Sequence, residues 1–371
     1  MKNNAKATLA NFNCTMKKEK NTIPMLEFFN EIIYPALNNT KKYKQTKRNK
    51  YYISDLKLVE LTDGPMALVG KHIKRTVLDI FPDYNAESGF IGEQFSAPSA
   101  PHSNFILLLN NHRLIYYSNE AGAPTVSSFS TTVRHMIYTY VKDKRNDIIQ
   151  NLKELKPSEA KAKNAAYIDE KNNQIKYFRY EYKDEYYKNI ADFSNRYLDE
   201  HLPYPETNVV AIESQTLLEE AFKNIKKINK VEFKFYKPNN DPLDFDNLFE
   251  QTYSILEKSN STSVKTTLNS PEEKSVIETA IASSKGKTSY QIQATNNENE
   301  PIQLNPDSVS EKVVVDVGEW EEIEKESSHV YNQLKEKTAI KEISESNQSL
   351  YLKLKSFIAS LMQGDYHGIK Q

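Results

Sequence analysis

Apolar residues along this chain change period several times, and each change predicts an element. Ala7 to Met16 predicts a first strand. From Met25 to Leu37 the spacing becomes helical, with Leu26, Phe29, Ile32, Ile33 and Leu37 on one face and an end near Asn38-Asn39. Tyr51–Leu61 and Pro65–Lys71 predict a strand pair around the Thr62-Asp63-Gly64 turn. Asn104–Ser118 predicts a hairpin, FILLL then RLIYY, turning at Asn110-Asn111-His112. Between them Glu87–Ser103, rich in Gly, Ser and Pro, predicts a loop. Phe129, Val133, Met136, Ile137, Tyr140, Val141 and Ile148 predict a helix from about Ser128 to Gln150, although Ile137–Val141 also alternates as a strand would.

Beyond a charged, Tyr-rich stretch the pattern alternates between strands and helices. Strands are predicted at Val209–Ile212, Lys230–Tyr236, Thr262–Leu268, Ser289–Thr295 and Lys312–Val317, and a helix over Leu217–Ile228. Asp241-Pro242 offers an N-cap and N1 proline for a helix to about Lys258. Ser270-Pro271-Glu272-Glu273 offers a capping box for a helix to about Ser284. A closing amphipathic helix is strongest from Leu350 to Met362. The expected fold class is α+β: two mixed sheet-and-helix domains at residues 1–150 and 206–371, joined by a charged connector at 151–205 that ends at Pro203 and Pro205. The length of 371 residues agrees with about two domains.

Charge refines this picture. The 49 basic and 50 acidic side chains nearly cancel, but residues 1–50 carry 11 basic against 3 acidic and residues 301–350 carry 5 against 11. A near-neutral chain that is polar end to end still has room for a local anion-binding surface. No apolar run approaches the length of a transmembrane helix, no secretory h-region precedes Lys17, and the single cysteine, Cys14, cannot form an internal disulfide. These features predict a cytoplasmic protein. Glycine numbers 9, and no complete P-loop or dinucleotide fingerprint exists, since Ile281 stands where the first glycine before Gly286-Lys287-Thr288 belongs.

Lys41, Lys42, Lys44, Lys47, Arg48 and Lys50 are the densest cation cluster, with Tyr43 among them. Such a segment suits phosphate contacts that release counterions; the plainer alternative is a solvated loop. Lys223, Lys226, Lys227, Lys230, Lys234 and Lys237 form a second group, four of which helical spacing would place on one surface. Glu232 and Lys234 share a strand face, as in metal-dependent nucleases of the PD-(D/E)xK type, with Asp199, Glu206 or Glu213 as the further carboxylate. Alternation alone also produces that pattern. Asp241, Asp244 and Asp246 fit a helix start better than a metal site, and the histidines lack HxxxH or HExxH spacing, so no metal or cofactor is expected. Ser96, Ser99 and His102 share the Pro-containing loop without a nucleophile elbow. Leu350, Leu354, Phe357, Ile358 and Leu361 form a stripe suited to core packing or to a two-fold dimer.

The order of elements resembles the RexA-like phage exclusion proteins and, more loosely, the KwaB component of Kiwa antiphage defence. The segments that carry the resemblance are MLEFFNEIIYPAL, FILLLNNHRLIYY, AGAPTVSSFSTTV, VEFKFYKP and the closing helix. It implies an antiviral defence protein that binds double-stranded DNA without strong sequence choice, forms a homodimer and works with a membrane-protein partner encoded nearby, without itself entering the membrane. It brings no catalytic signature. The long charged connector and the neutral overall charge depart from that pattern. The alternatives are a nuclease acting through Glu232 and Lys234, or a non-catalytic sensor or adaptor recognising a phage protein through Glu87–Ser103.

Overall fold

The computed structural model describes residues 4–18, 21–80, 83–87, 89–91, 94–118, 120–154, 198–199, 202–236, 247–259, 261, 263–284, 288–318, 322–337, 340, 348–349 and 351–356. The first half runs β1 (Asn4–Lys18), β2 (Asn21–Pro24), an irregular helical segment ending in α1 (Tyr34–Leu37), β3 (Lys44–Gln45), β4 (Lys50–Glu60), β5 (Met66–Ile80), β6 (Asp83–Asn85), β7 (Gly89–Ile91), β8 (Phe95–Ser99), β9 (His102–Leu108), β10 (Arg113–Ser118) and α2 (Val126–Glu154). The second half runs β11 (Glu206–Ala211), α3 (Gln215–Asn224), β12 (Ile225–Tyr236), α4 (Asn247–Lys258), β13 (Ser263–Asn269), α5 (Lys274–Ser284), β14 (Thr288–Asn296), β15 (Pro301–Leu304), β16 (Lys312–Asp316) and α6 (Ile323–Glu336). The fold is α+β.

β1 is the hub of the large sheet. It pairs antiparallel with β10, β11, β16 and β2. Its period-two alternation feeds two cores: Ala5, Ala7 and Leu9 meet α6 residues Val330 and Leu334, while Phe12, Cys14 and Met16 meet the helical segment and α2. The second of these cores buries Phe29, Phe105 and Phe129 almost completely, each worth roughly 1.5–3 kcal/mol of transfer free energy. The expected helix over Met25–Leu37 is broken into 3₁₀, π and α turns. Tyr34 N–H donates to Phe29 O, five residues back, and Pro35 has no N–H with which to continue the α pattern.

β11 and β16 lie on the far side of the residue-206 boundary expected from the prolines, yet both hydrogen-bond to β1. Between them the chain builds a four-stranded antiparallel sheet in the order β13-β12-β14-β15. Val231, Phe233 and Phe235 of β12 pack with Leu218, Phe222, Tyr253 and Ile281 of the helices, which leaves Glu232 and Lys234 on the opposite, polar face. The two chain passages into this unit clasp each other: Ser214 N–H donates to Val309 O (2.8 Å), Glu311 N–H to Ile212 O (3.0 Å), and Glu213 bridges Ser310.

Several expectations are corrected. Glu87–Ser103 holds β7 and β8, and beyond Arg75 β5 continues only with β8 as a two-stranded ribbon carrying exposed Val77, Leu78 and Phe95. The strand alternative for Ile137–Val141 gives way to α2, whose apolar face covers the core. The helix expected to reach Ile228 ends at Asn224, so Lys226, Lys227 and Lys230 lie on β12, where no helical face unites them. Ser270 adopts φ +48° and donates its N–H to Asn229 O; it closes β13, and α5 begins only at Lys274. Asp241, Asp244, Asp246 and Gly286 lie outside the described residues, as do nearly all of the connector and Leu350, Phe357, Ile358 and Leu361 of the closing stripe. Leu354 packs into the second of the two cores that β1 feeds and Tyr351 Oη accepts from Met66 N–H (2.9 Å), so these two residues of the closing segment are core residues. Among the described residues, no helix is long and apolar enough to cross a membrane.

Candidate nucleic-acid interface and the adjoining cleft

The basic segment forms an edge hairpin of the large sheet. β3 pairs with the start of β4 through Lys44↔Tyr51 and Gln45↔Lys50, and Thr46–Asn49 makes the turn. Thr46 N–H donates to Asn49 O (2.8 Å) and Asn49 N–H to Thr46 Oγ1 (3.1 Å), which leaves Lys47 and Arg48 at the tip. Lys41, Lys47 and Arg48 are exposed and, among the described residues, contact no carboxylate. Lys42 pairs with Asp143 of α2 at 2.7 Å. Lys50 Nζ stands 4.8 Å from the Tyr43 ring centroid, so that ring orders a lysine.

Lys44 turns inward and donates to Thr131 Oγ1 on α2. Arg134 and His135 follow one turn later, and they are the residues that reading the basic run alone misses. The available signal was helical: positions 131, 134 and 135 share a face. Burial pushes the Lys44 ammonium below its ordinary pKa, and the Arg134 charge pushes it further. His135 is likewise lowered, by burial first and then by Lys44. Like charges are thus held together at the junction of hairpin and helix, which concentrates positive potential there.

Next to this junction, α2, β11, the polar face of the second sheet and the turn at Asn305–Asp307 enclose a cleft of about 390 Å³. α2 seals the free edge of β11: Val209 N–H donates to Ser130 Oγ (3.1 Å), and Arg134 Nε donates to Thr207 O (2.9 Å). Asp307 Oδ2 accepts from Ser127 N–H (2.9 Å), supplying a partner for one N-terminal amide of α2. Burial raises the Asp307 carboxyl above its ordinary value. Glu232 sits between Lys230 (2.6 Å) and Lys265 (2.9 Å), which hold its carboxyl low. Lys234 reaches Glu206 at 3.2 Å and stands 4.6 Å from the Tyr236 ring centroid.

The Glu232–Lys234 pair therefore does line a cleft, and Glu206 is its carboxylate neighbour. Lysines occupy both carboxylates, however, and among the described residues no three of His, Cys, Asp and Glu converge as metal ligands would. Asp199 instead pairs with Arg145 at 2.6 Å. Ser96 donates to Asp79, while His102 pairs with Glu120 at 3.0 Å, so these two side chains serve separate partners. Cys14 is fully buried against Thr207 Oγ1, and burial pushes its thiol up to about 12, which makes it inert at neutral pH. His72 is a satisfied core histidine, 2.8 Å from Tyr116 Oη and 3.2 Å from Thr132 Oγ1; burial lowers its pKa to about 3 and keeps it neutral.

Comparison with family models, curated proteins and solved structures finds no match to this chain.

Proposed function

We propose that the protein is a non-enzymatic, phosphate-directed DNA-binding protein of antiphage defence, in which the β3–β4 hairpin meets long duplex DNA. The observation that carries this reading is the hairpin tip: Lys47 and Arg48 project from a side-chain-locked turn without a carboxylate among the described residues to neutralise them. Lys41, Lys42, Lys44 and Lys50 extend the cationic surface from the tip to α2. Sequence-independent contact is expected because lysines and an arginine supply the surface and suit phosphates; phosphate contacts position a protein but do not read bases.

The test is duplex binding measured over a salt series. Each lost phosphate contact should lower the slope of log affinity against log salt by about 0.9. Alanine at all six positions should abolish binding at physiological salt; unchanged affinity would refute the assignment. The resemblance to phage exclusion proteins supports the defence role, a homodimer and a membrane-protein partner encoded nearby. Sedimentation of the full chain and co-purification with the adjacent gene product test those two points.

A further inference from the structure

The edges of the two larger sheets differ in how they are protected. β4 is bent by a bulge between Ser54 and Lys57, where Asp55 adopts φ +52°, and its outer stretch carries Asp55, Lys57 and Glu60. β16 is held by α6: Asp316 N–H donates to Gln333 Oε1 (2.9 Å), and Lys337 Nζ donates to Val314 O. β11 is sealed by α2 through Ser130 and Arg134. β8 and β15 carry Pro98 and Pro301, and β15 is only four residues long. Each of these devices hinders pairing with another chain. Among the described residues, β13 lacks them. Its seven residues include no proline and pair with β12 in unbroken register, and no described strand pairs with its outer side. Lys265–Asn269 are exposed, and Lys265, the one charge in the strand, is turned back to Glu232 of β12 at 2.9 Å.

We propose that β13 pairs with β13 of a second copy of this chain, antiparallel about a two-fold axis at Thr266, so that the two small sheets become one. The occupant follows from the sequence of the strand. Val264, Thr266 and Leu268 oppose Phe235, Phe233 and Val231 of β12, so they lie on the face that the helices cover. Leu268 is nevertheless 38% exposed. With the axis at Thr266, Val264 of each copy meets Leu268 of the other, and the apolar face continues across the joint. On the polar face Lys265 meets Thr267 and Ser263 meets Asn269, so no like charges stand opposite. Thr266 is also the central residue, so this axis pairs the whole strand. Moving the axis to Lys265 would set two ammonium groups against each other, and a slip by one residue would bring polar against apolar positions. A strand edge buries less surface than a standard interface, which makes this a weak dimer that forms with rising concentration. The proposal rests on the homodimer part of the proposed function, whose surface it names, and not on duplex binding by the hairpin.

The experiment is sedimentation velocity of the full chain from about 1 to about 200 μM, repeated with charge-swapped variants. The parent should show a reversible equilibrium of monomer and dimer in the micromolar range. Thr266→Lys and Thr266→Glu each set like charges across the axis, so each alone should weaken dimerisation by about tenfold or more, and an equimolar mixture of the two should restore it. Gln303→Lys, on the β15 edge, should leave the equilibrium where it is. A parent that stays monomeric throughout leaves the edge to a strand of another protein and overturns the proposal. A dimer that both Thr266 variants leave unchanged, or a mixture that restores nothing, also overturns it, and the homodimer reading then survives without this surface. Should the Thr266 variants fail to fold, Thr266→Cys takes their place. Cys14 is buried and inert, so mild oxidation should cross-link two chains through position 266, whereas Gln303→Cys should give no cross-link; absence of the first overturns the proposal. Lys47→Ala with Arg48→Ala should not alter dimerisation, so this proposal and the hairpin reading fail separately.

Discussion

The hairpin at Lys41–Lys50 and the lysines of the second sheet are similar in composition and opposite in electrostatic setting. In the hairpin, Lys42 alone of the six cations meets a carboxylate among the described residues, whereas Lys44 is packed toward another cation. On the second sheet Lys230 and Lys265 share Glu232, Lys234 meets Glu206, and Lys226 donates to Asn299 Oδ1 at 2.6 Å. Cation density is therefore a poor guide to an anion surface. What decides is whether the fold brings carboxylates to the same face, and cross-strand pairing does so on β12 and β13.

The largest effect expected from this contrast comes from charge reversal. Lys47→Glu with Arg48→Glu should lower duplex affinity by more than about tenfold and reduce the salt slope by about two. Lys230→Glu with Lys234→Glu, at lysines already paired with Glu232 and Glu206, should change affinity less than about twofold. Equal losses from the two double variants, measured by anisotropy at one salt concentration, would erase the distinction.

A gain of function comes next in size. Glu232→Gln removes the group that neutralises Lys230 and Lys265, so it should raise low-salt duplex binding about two- to threefold with little change in stability, as expected for exposed pairs. Unchanged binding at low salt would mean that ion pairing is not what silences the second sheet.

Local pattern made one of these regions legible in the sequence and concealed the other. The turn-bounded pairs β4–β5 and β9–β10, the long α2 and the alternation of β12 follow from contiguous residues, because each element's period is written within itself. The basic hairpin is likewise one continuous stretch. The cleft is assembled from α2, β11, β12, β14 and the Asn305–Asp307 turn, and nothing local announces that β11 and β16 return to β1. That Asn208 and Tyr290 are buried polar residues is visible only in the folded chain. The β5–β8 ribbon escaped for a related reason: Ser96 and Pro98 interrupt its apolar period, and its pairing partner lies across a long excursion.

A smaller effect tests the link between the hairpin and α2. Lys44→Met removes the charge that lowers His135, so the His135 imidazole should titrate at a higher pH in the variant, read by NMR. The sign for Lys44 is that of a depressed cation: the folded chain holds the proton less tightly than the unfolded chain. Its contribution to stability therefore improves as pH rises through its lowered folded value. The variant should accordingly be no less stable than the parent at neutral pH, and a His135 titration that does not move would show that Lys44 and the helix are electrostatically independent.

The smallest effect lies at the opposite wall of the cleft, where the local charge is negative. Asp307→Asn preserves an oxygen to accept from Ser127 N–H and removes a carboxylate that burial disfavours. Because the folded pKa of Asp307 is raised, the stability linked to its proton is fully present below the ordinary carboxylate value and is lost as pH rises through the raised one. The variant should therefore gain on the parent over that window and hold a small advantage at neutral pH, on the order of 0.5 kcal/mol or about 1 °C in melting temperature. A loss of stability instead would mean that the negative charge of Asp307 at the α2 N-terminus outweighs its desolvation. Helix capping, and not burial, would then dominate this side of the cleft.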